Sequence, residues 1–333
     1  MSPLRIHLPL VAAALVAPLA ACGTGDRPAE SAGVSASAEP ATPASSVTAG
    51  TTVNTVTEET TSGSTITNVS YADAETAFRG GRYQEAADLF AAYVATHPDN
   101  AWGHYMYGLS AWKSGEHERA MEGFDQALRL DPGHRKSLFN SARVLLETSR
   151  PREALARIET ALTLEPLSSD GLRLLGRARY ELDQVPEAID AYQRALVIDE
   201  RDVWSLNNLG LIYIREGRSE EALPLLARAV ELRHNAPVFQ NNLGMALEHS
   251  GYSRAARRAY AAALEADSTY AKASASLTRL GGPLDPADTS IEVDLAALSE
   301  QFQDRVESWR GTVETPADTM ARDTVAADST AGE

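Results

Sequence analysis

Residues 203–236 read VWSLNNLGLIYIREGRSEEALPLLARAVELRHNA, and residues 237–270 read PVFQNNLGMALEHSGYSRAARRAYAAALEADSTY, so the two stretches align without a gap. In both, the eighth residue is glycine (Gly210, Gly244), the twentieth is alanine (Ala222, Ala256), and a bulky apolar residue follows four places later. The same 34-residue period runs back through units that begin at Thr67, Ala101, Arg135, Ser169, Val203 and Pro237. Such a period indicates stacked structural repeats rather than one globular core.

Each unit has the pattern of a helical hairpin. Small residues at the eighth and twentieth places let two antiparallel helices approach closely, and the bulky residue fills the space beside them. Gly81, Gly115, Gly217 and Gly251 fall between the two helices, where glycine readily adopts the positive φ of a tight turn. After the sixth unit, Ala271–Leu280 is predicted to be a terminal helix that covers the last hairpin, because a solenoid needs a cap.

The period and the small–small–bulky–small spacing closely resemble the tetratricopeptide repeat. The resemblance covers residues 67–270, and it implies an all-α, right-handed superhelical solenoid of six hairpins plus the capping helix, over residues 71–280. It also implies that the first helices of successive hairpins line a concave groove that binds proteins or peptides.

In that family the second, fifth, sixth, ninth and twelfth places of a unit face the groove. The groove is therefore expected to be aromatic in units two and three, arginine-rich in three and four, and amide-rich in five and six. Two Asn-Leu-Gly stretches resemble long superhelical members, in which such asparagines hold a peptide backbone. The candidate partner-binding residues are Trp102, Tyr105, Trp112, Phe139, Asn140, Arg143, Arg173, Arg177, Tyr180, Trp204, Asn207, Asn208, Asn241 and Asn242.

Each candidate also has a structural interpretation. Trp112 and Tyr180 can pack between hairpins, and the arginines can pair with neighbouring acids along the helix. The asparagines can form local hydrogen bonds instead of binding a peptide. The sequence leaves these alternatives open.

The N-terminus has the pattern of a secretory signal, with Arg5 before a short apolar run from Leu8 to Ala21. A membrane span needs about 20 apolar residues, so the run is too short to cross a bilayer. Its end, Leu19-Ala20-Ala21-Cys22, resembles the lipobox of bacterial lipoproteins, which implies a signal peptide over residues 1–21 and acylation of Cys22. Because Gly23 follows the cysteine instead of aspartate, the resemblance favours the outer membrane, facing the periplasm. The alternative is an ordinary secretory signal and an incidental cysteine.

The remaining segments differ in composition. Residues 22–70 are rich in Ser, Thr and Ala and are predicted to form a disordered linker. Residues 281–310 are predicted to hold a second linker and an amphipathic helix over Ile291–Arg310, which begins with a capping box of Thr289 and Glu292. That helix could dock on the solenoid or in its groove, meet a partner, or lie on a membrane, although its acidic polar face disfavours anionic lipid. Residues 311–333 are predicted to be a disordered acidic tail.

Charge and composition narrow the function classes. The net charge is −16 and the sequence pI about 4.9, which argues against nucleic acid as a partner. One cysteine excludes a disulfide framework within the chain. The seven histidines are scattered, and no glycine-rich phosphate loop or nucleophile motif is present, so we expect neither an enzyme nor a cofactor or metal site.

The expected function is a membrane-anchored periplasmic scaffold for protein–protein interactions. The combination resembles lipoproteins that escort type IV pilus secretins, that assemble tight-adherence pili, or that act as adaptors for periplasmic proteases and cell-wall hydrolases. A substrate-binding or peptidoglycan-binding lipoprotein is the alternative from a different class. The sequence does not decide whether the chain forms homo-oligomers.

Overall fold

The computed structural model describes residues 69–281 and 293–311. Within these ranges the chain forms fourteen α-helices and no strands. The helices are α1 Tyr71–Arg79, α2 Tyr83–Thr96, α3 Ala101–Ser114, α4 His117–Leu130, α5 Arg135–Glu147, α6 Pro151–Leu164, α7 Ser169–Glu181, α8 Val185–Ile198, α9 Val203–Arg215, α10 Ser219–Leu232, α11 Pro237–His249, α12 Ser253–Ala266, α13 Ala271–Arg279 and α14 Leu295–Arg310.

The first twelve helices form six consecutive hairpins, which confirms the expected solenoid. Each hairpin packs its second helix against the first helix of the next hairpin, and the first helices also contact one another from α3 to α11. The first helices therefore share one continuous face, which is the concave face of the superhelix, and the second helices lie outside them.

The repeated small and bulky residues build the interior. All six alanines at the twentieth place are fully buried, and the bulky residues four places later, from Phe90 to Tyr260, are at most 2% exposed. A Cβ added at Gly210 would lie 2.7 Å from Leu226 Cγ, and one added at Gly244 would lie 2.6 Å from Tyr260 Cε1. Small residues at the eighth place are thus required by the ring or branched side chain that packs across the hairpin.

Two turns between helices use a residue other than glycine. Ser149 and Asp183 adopt φ of 57° and 62°, at the place where the other hairpins have glycine. A left-handed conformation costs such a residue roughly 1–2 kcal/mol, whereas glycine loses roughly 0.5–1 kcal/mol through its freer unfolded state.

We therefore expect Ser149→Gly to raise the free energy of unfolding by about 0.5 kcal/mol. The reciprocal change Gly217→Ser, at a φ of 74° with open space around the Cα, should lower it by a similar amount. Urea unfolding followed by circular dichroism measures both. Equal shifts of the same sign would contradict the backbone argument.

Helix α13 covers the last hairpin, as the sequence predicted. Its Ala273 is fully buried, and the Arg279 guanidinium binds the Glu248 carboxylate of α11, with Nη2 2.8 Å from Oε2. The hydroxyl of Tyr260 donates to the same carboxylate at 2.8 Å. The cap is thus held by apolar burial together with a shared ion pair.

Helix α14 begins four residues later than the expected Ile291. Asp294 caps it, and its carboxylate accepts hydrogen bonds from the backbone N–H groups of Ala296 and Ala297 at 3.0 and 3.1 Å. An aspartate directly before the first turn stops the helix from extending further towards the N-terminus. The helix packs on α10 and α8, which are second helices, so it docks on the solenoid outside the groove.

Several expected features lie outside the described residues. These are the signal peptide, Cys22, the linker as far as residue 68, the Thr289–Glu292 capping box and residues 312–333.

Candidate functional site

The N-terminal end of the concave face is an aromatic cluster of Tyr71, Trp102, Tyr105 and His134. The indole N–H of Trp102 donates to the Tyr71 hydroxyl at 2.7 Å, and the Trp102 and Tyr105 rings lie 5.0 Å apart. The His134 ring lies 5.8 Å from Trp102 and 5.1 Å from Tyr105. The ammonium of Lys136 lies 4.9 Å from the Trp102 ring, within range of a cation–π interaction. Trp102 is nevertheless 41% exposed, so it presents apolar surface to a partner.

Tyr105 is buried, whereas its neighbour Trp102 is exposed. Burial raises the pKa of Tyr105 to about 12, so its hydroxyl is protonated at neutral pH. That hydroxyl accepts a hydrogen bond from the Asn140 amide at 3.3 Å. Tyr105 therefore forms the buried base of the aromatic cluster, and Trp102 provides its exposed surface.

His134 also caps α5. Its Nδ1 accepts from the backbone N–H of Ser137 at 3.2 Å, which requires a neutral ring, because a protonated imidazole has no acceptor nitrogen. Burial lowers the pKa of His134, and Lys136 lowers it further, while Asp131 acts in the opposite direction.

Since the folded protein favours neutral His134, its contribution to stability is present above the unfolded pKa of about 6.5 and is lost as the pH falls through the lowered folded pKa. Asparagine is a good cap without a charge change, so His134→Asn should flatten the decline of stability between pH 7.5 and pH 5. Urea midpoints of the two proteins across that range measure the difference. Identical slopes would show that His134 carries no pH dependence.

The centre of the face is a chain of alternating arginines and acids. Asp170 of α7 binds both Arg143 of α5 and Arg173 of its own helix, and Arg173 Nε lies 3.1 Å from a carboxylate oxygen of Asp202. Arg143 also donates to the Asn140 side chain. The chain links three successive hairpins across the concave face.

These contacts show whether the arginines of the expected arginine-rich region are free to bind a partner or are paired within the protein. Burial acts to raise the pKa of Asp170, but the charges and hydrogen bonds of Arg143 and Arg173 outweigh it and hold that pKa below its usual value. Arg177 is paired as well, with Nε 2.8 Å from Glu181 and Nη2 donating to the Leu146 carbonyl at 3.1 Å. The three arginines are thus largely neutralised within the protein, as the pairing interpretation of the sequence proposed.

The C-terminal part of the face is a ladder of amides. Asn242 of α11 donates to the side-chain oxygen of Asn207 on α9 at 2.8 Å, and Asn207 donates to Asn208 at 3.3 Å. Asn241 donates to Asn242 at 3.2 Å and contacts the Met245 sulfur at 3.5 Å. The Asn241 side-chain oxygen is buried and has no hydrogen-bond partner among the described residues. The Asn208 amide donates a hydrogen bond to the Tyr192 hydroxyl at 3.3 Å.

Other predicted residues make mainly structural contacts. The Trp112 indole donates to Glu147 at 2.8 Å, and the Tyr180 hydroxyl accepts from Arg215 at 2.8 Å, so both link neighbouring hairpins. Phe139 is buried, and its ring leaves no space for a Cβ at Gly171. Trp204 lies 5.2 Å from the Phe239 ring and is partly exposed.

Sequence reasoning missed several members of the site. Asp170 occupies the second place of its unit, the same place as Trp102, and that rule could have found it. Asp202 precedes α9 as its cap, and His134 precedes α5, so neither lies at a groove-facing place of a helix. Tyr71 was identifiable as the fifth residue of the first unit.

The described residues contain no cluster of His, Cys, Asp or Glu arranged to hold a metal ion. Among the helices of that part of the chain, none combines the length and apolarity needed to cross a bilayer. The site consists of aromatic, ion-paired and amide groups that can contact a polypeptide.

Models of the tetratricopeptide repeat match residues 71–135, 139–203 and 191–223. The chain is similar in fold to PilW, described as a widely conserved type IV pilus biogenesis factor, with a TM-score of 0.57, 18% identity, and coverage of 65% of this chain and 100% of PilW. The Cut9–Hcn1 hetero-tetramer of APC/C gives a TM-score of 0.56 and 18% identity, over 63% of this chain and 41% of that chain.

MamA from Desulfovibrio magneticus RS-1 matches with a TM-score of 0.46 and 23% identity, over 49% of this chain and 92% of its own. No curated protein matches the chain. At these identities the likeness to solved structures concerns the fold alone. The repeat matches and the six hairpins together show that residues 71–223 consist of tetratricopeptide repeats, and proteins built from these repeats generally act as non-enzymatic scaffolds for protein–protein contact.

Proposed function

We propose that the chain is a lipid-anchored scaffold of the bacterial envelope whose concave groove holds an extended segment of a partner protein. The amide ladder is the part of the groove that grips the segment, and the Trp102 cluster receives one of its apolar side chains.

The Asn241 side-chain oxygen carries this proposal. Leaving a buried acceptor unsatisfied costs roughly 1–3 kcal/mol, and a backbone N–H of a bound segment would remove that cost. Asn207 and Asn242 hold the Asn241 amide in place through the ladder. Because its oxygen is buried, a bound segment must displace the atoms that cover the oxygen before it can accept. Backbone recognition of this kind does not depend on the side chains of the partner.

The charge of the groove indicates what kind of segment it favours. Asp170, Asp202 and Glu181 neutralise the three arginines of the central region, so the groove offers no strong attraction for an acidic peptide. Trp102 adds exposed apolar surface at one end. We infer that the preferred segment is extended, weakly charged and carries an apolar residue towards the α1–α3 end.

The sequence of the first 22 residues supports a location on the periplasmic side of the outer membrane. The Leu19-Ala20-Ala21-Cys22 stretch resembles a lipobox, and Gly23 follows it. The fold is shared with PilW, and we therefore propose pilus, secretion or other envelope assembly as the setting.

A photo-crosslinking residue in place of Met245, which contacts Asn241, tests the groove. We expect crosslinks to defined partner segments, identified by mass spectrometry, and none from the same residue in place of exposed Arg152 on α6. Asn241→Leu should reduce capture roughly threefold to tenfold, as expected for one lost hydrogen bond, without lowering thermal stability. Equal capture from both sites would rule out the groove as the binding surface.

Cys22→Ser tests the anchor. An efficiently exported Cys22→Ser protein should move from the membrane fraction to the soluble periplasmic fraction, because acyl chains contribute about 0.8 kcal/mol per buried methylene. Persistent membrane association of that variant would refute the anchor and leave the groove proposal intact.

A further inference from the structure

Helix α14 packs in the cleft between α8 and α10 on the outer surface of the solenoid. Phe302 is fully buried, Val306 is 1% exposed, and both belong to the apolar cluster that α8 to α12 build. The Ser299 hydroxyl donates to Glu231 near the end of α10, and Arg305 donates to the Glu221 carbonyl near its start at 3.2 Å. The occupant of this cleft between α8 and α10 therefore runs antiparallel to α10, with two apolar residues four apart as its anchors.

The same cleft recurs three repeats earlier, between α2 and α4, where no described helix covers it. It contains a cavity of about 300 Å³ lined by Ala91, Val94, Ala95, His104, Tyr107, Glu122, Gln126 and Arg129. Three repeats later the corresponding floor residues are Leu196, Leu206 and Leu209, which lie in the same apolar cluster as Phe302. The cavity thus lies in the cleft that corresponds, three repeats earlier, to the one that α14 occupies.

The charges at the rims of the two clefts are opposite. The place of Glu231, which binds Ser299, is taken by Arg129, and the place of Glu221 is taken by Arg119. Arg119 is paired with Glu116 and Asp88.

Arg129 is exposed, donates to the Gln126 side chain at 2.7 Å, and makes no ion pair within the described residues. A cation without a carboxylate partner therefore lies where the first polar contact of the occupant would form.

We propose that the α2–α4 cleft is a second docking surface, which binds an amphipathic helix of a partner protein. The helix carries a carboxylate three residues before the first of two apolar residues spaced four apart. The carboxylate pairs with Arg129, as Ser299 does with Glu231, and the apolar pair enters the cavity as Phe302 and Val306 do in the later cleft. The rims of this surface are α2 and α4, which are second helices, and its floor is formed by His104 and Tyr107 of α3, whose Trp102 and Tyr105 belong to the aromatic cluster of the groove.

The same chemistry argues against two other occupants. Helix α14 of a second copy would place Arg305 against Arg119 and an uncharged serine against Arg129, so it fits poorly. A cavity of about 300 Å³ is at the lower limit of small-molecule sites, which suits one anchoring side chain better than a whole ligand.

Synthetic peptides of the α14 sequence, Leu295–Arg310 with blocked termini, test the proposal. The designed probe carries Ser299→Glu, which matches Arg129 and opposes Glu231 of the occupied cleft. It also carries Arg305→Glu, which removes the like charge beside Arg119 and opposes Glu221 of the occupied cleft. Fluorescence anisotropy with the full chain should show saturable binding at least tenfold tighter than that of the unmodified peptide. Phe302→Ala in the probe should abolish binding.

Protein variants locate the site. Arg129→Glu should weaken probe binding at least tenfold, and a probe with Ser299→Lys should recover affinity for that variant. Arg152→Glu, an equal charge change on exposed α6, should have no effect. Ala95→Trp should block binding, because it fills the cavity from an exposed position. Binding that is unaffected by Arg129→Glu, or no tighter for the probe than for the unmodified peptide, would overturn the proposal.

Discussion

Gly123→Ala is expected to destabilise the solenoid by about 2 kcal/mol or more, although alanine favours a helix interior over glycine by about 1 kcal/mol. A Cβ at Gly123 would lie 2.5 Å from Gly108 N, 2.7 Å from Gly108 Cα and 2.8 Å from the His104 carbonyl oxygen. All three are backbone atoms of α3, so no side-chain rotation can relieve the overlap. Separating α3 and α4 would also disturb the packing around Phe124, so the cost of overpacking reaches or exceeds the usual 1–3 kcal/mol.

Urea unfolding measures this effect, and Gly133→Ala is the matched control. A Cβ at Gly133 would meet only the Asp131 side-chain oxygen, at an ordinary 3.4 Å. We expect the control to change the free energy of unfolding by less than about 0.5 kcal/mol. Hydrogen exchange should show the loss of protection in Gly123→Ala concentrated in α3 and α4. A Gly123→Ala protein as stable as the control would contradict the close backbone approach.

The repeat pattern predicted the solenoid but not this contact. The eighth and twentieth places are small in every unit because each hairpin needs them, so the period reveals them. The twenty-third place holds Leu89, Gly123, Arg157, Ala191, Leu225 and Ala259 in successive units, and so it carries no repeated signal. Other units also have glycine at the eighth place but a larger residue at the twenty-third, so the close approach of Gly123 to the Gly108 backbone is a property of this hairpin and not of the repeat.

For the candidate site, the repeat pattern likewise predicted which positions face the groove but not which side chains contact one another. Groove-facing places identified Arg143 and Arg173, but their pairing with Asp170 and Asp202 depends on the angle between successive hairpins. That angle is set by packing of whole helices, which the sequence period does not specify. The unpartnered oxygen of Asn241 is a further example, because it depends on the amides of Asn207 and Asn242 donating to other partners, which the sequence does not specify.

The seat of α14 was the least predictable feature. Its apolar stripe was evident, but a stripe fits any cleft between second helices. The choice of the α8–α10 cleft follows from polar contacts between residues far apart in sequence, Ser299 with Glu231 and Arg310 with Glu200. Ser299 and Arg310 lie outside the repeat register, so no periodic pattern connects them with Glu231 and Glu200.

Phe302→Asp is expected to release α14 from the solenoid while the six hairpins stay folded. Phe302 is fully buried and contacts Trp309 edge-to-face at 6.2 Å, and truncating such a residue typically costs about 3–5 kcal/mol even without a buried charge. The ion pair of Arg305 with Glu221, at 3.7 Å, is too exposed to compensate. A free helix of 16 residues is marginal in water, so α14 should unfold once it is released.

Hydrogen exchange and limited trypsin cleavage after Arg305 and Arg310 measure the release. A cost of about 3 kcal/mol corresponds to roughly a hundredfold loss of protection in α14, and α1 to α6 should be unaffected. Gln303→Asp introduces the same charge on the exposed face of the same helix and should leave cleavage unchanged. If both variants were cleaved at the same rate, burial of Phe302 would not be what holds α14. Release of α14 with intact hairpins would also show that the α8–α10 cleft exists as a binding surface in the absence of its helix, which is the state proposed for the cleft between α2 and α4.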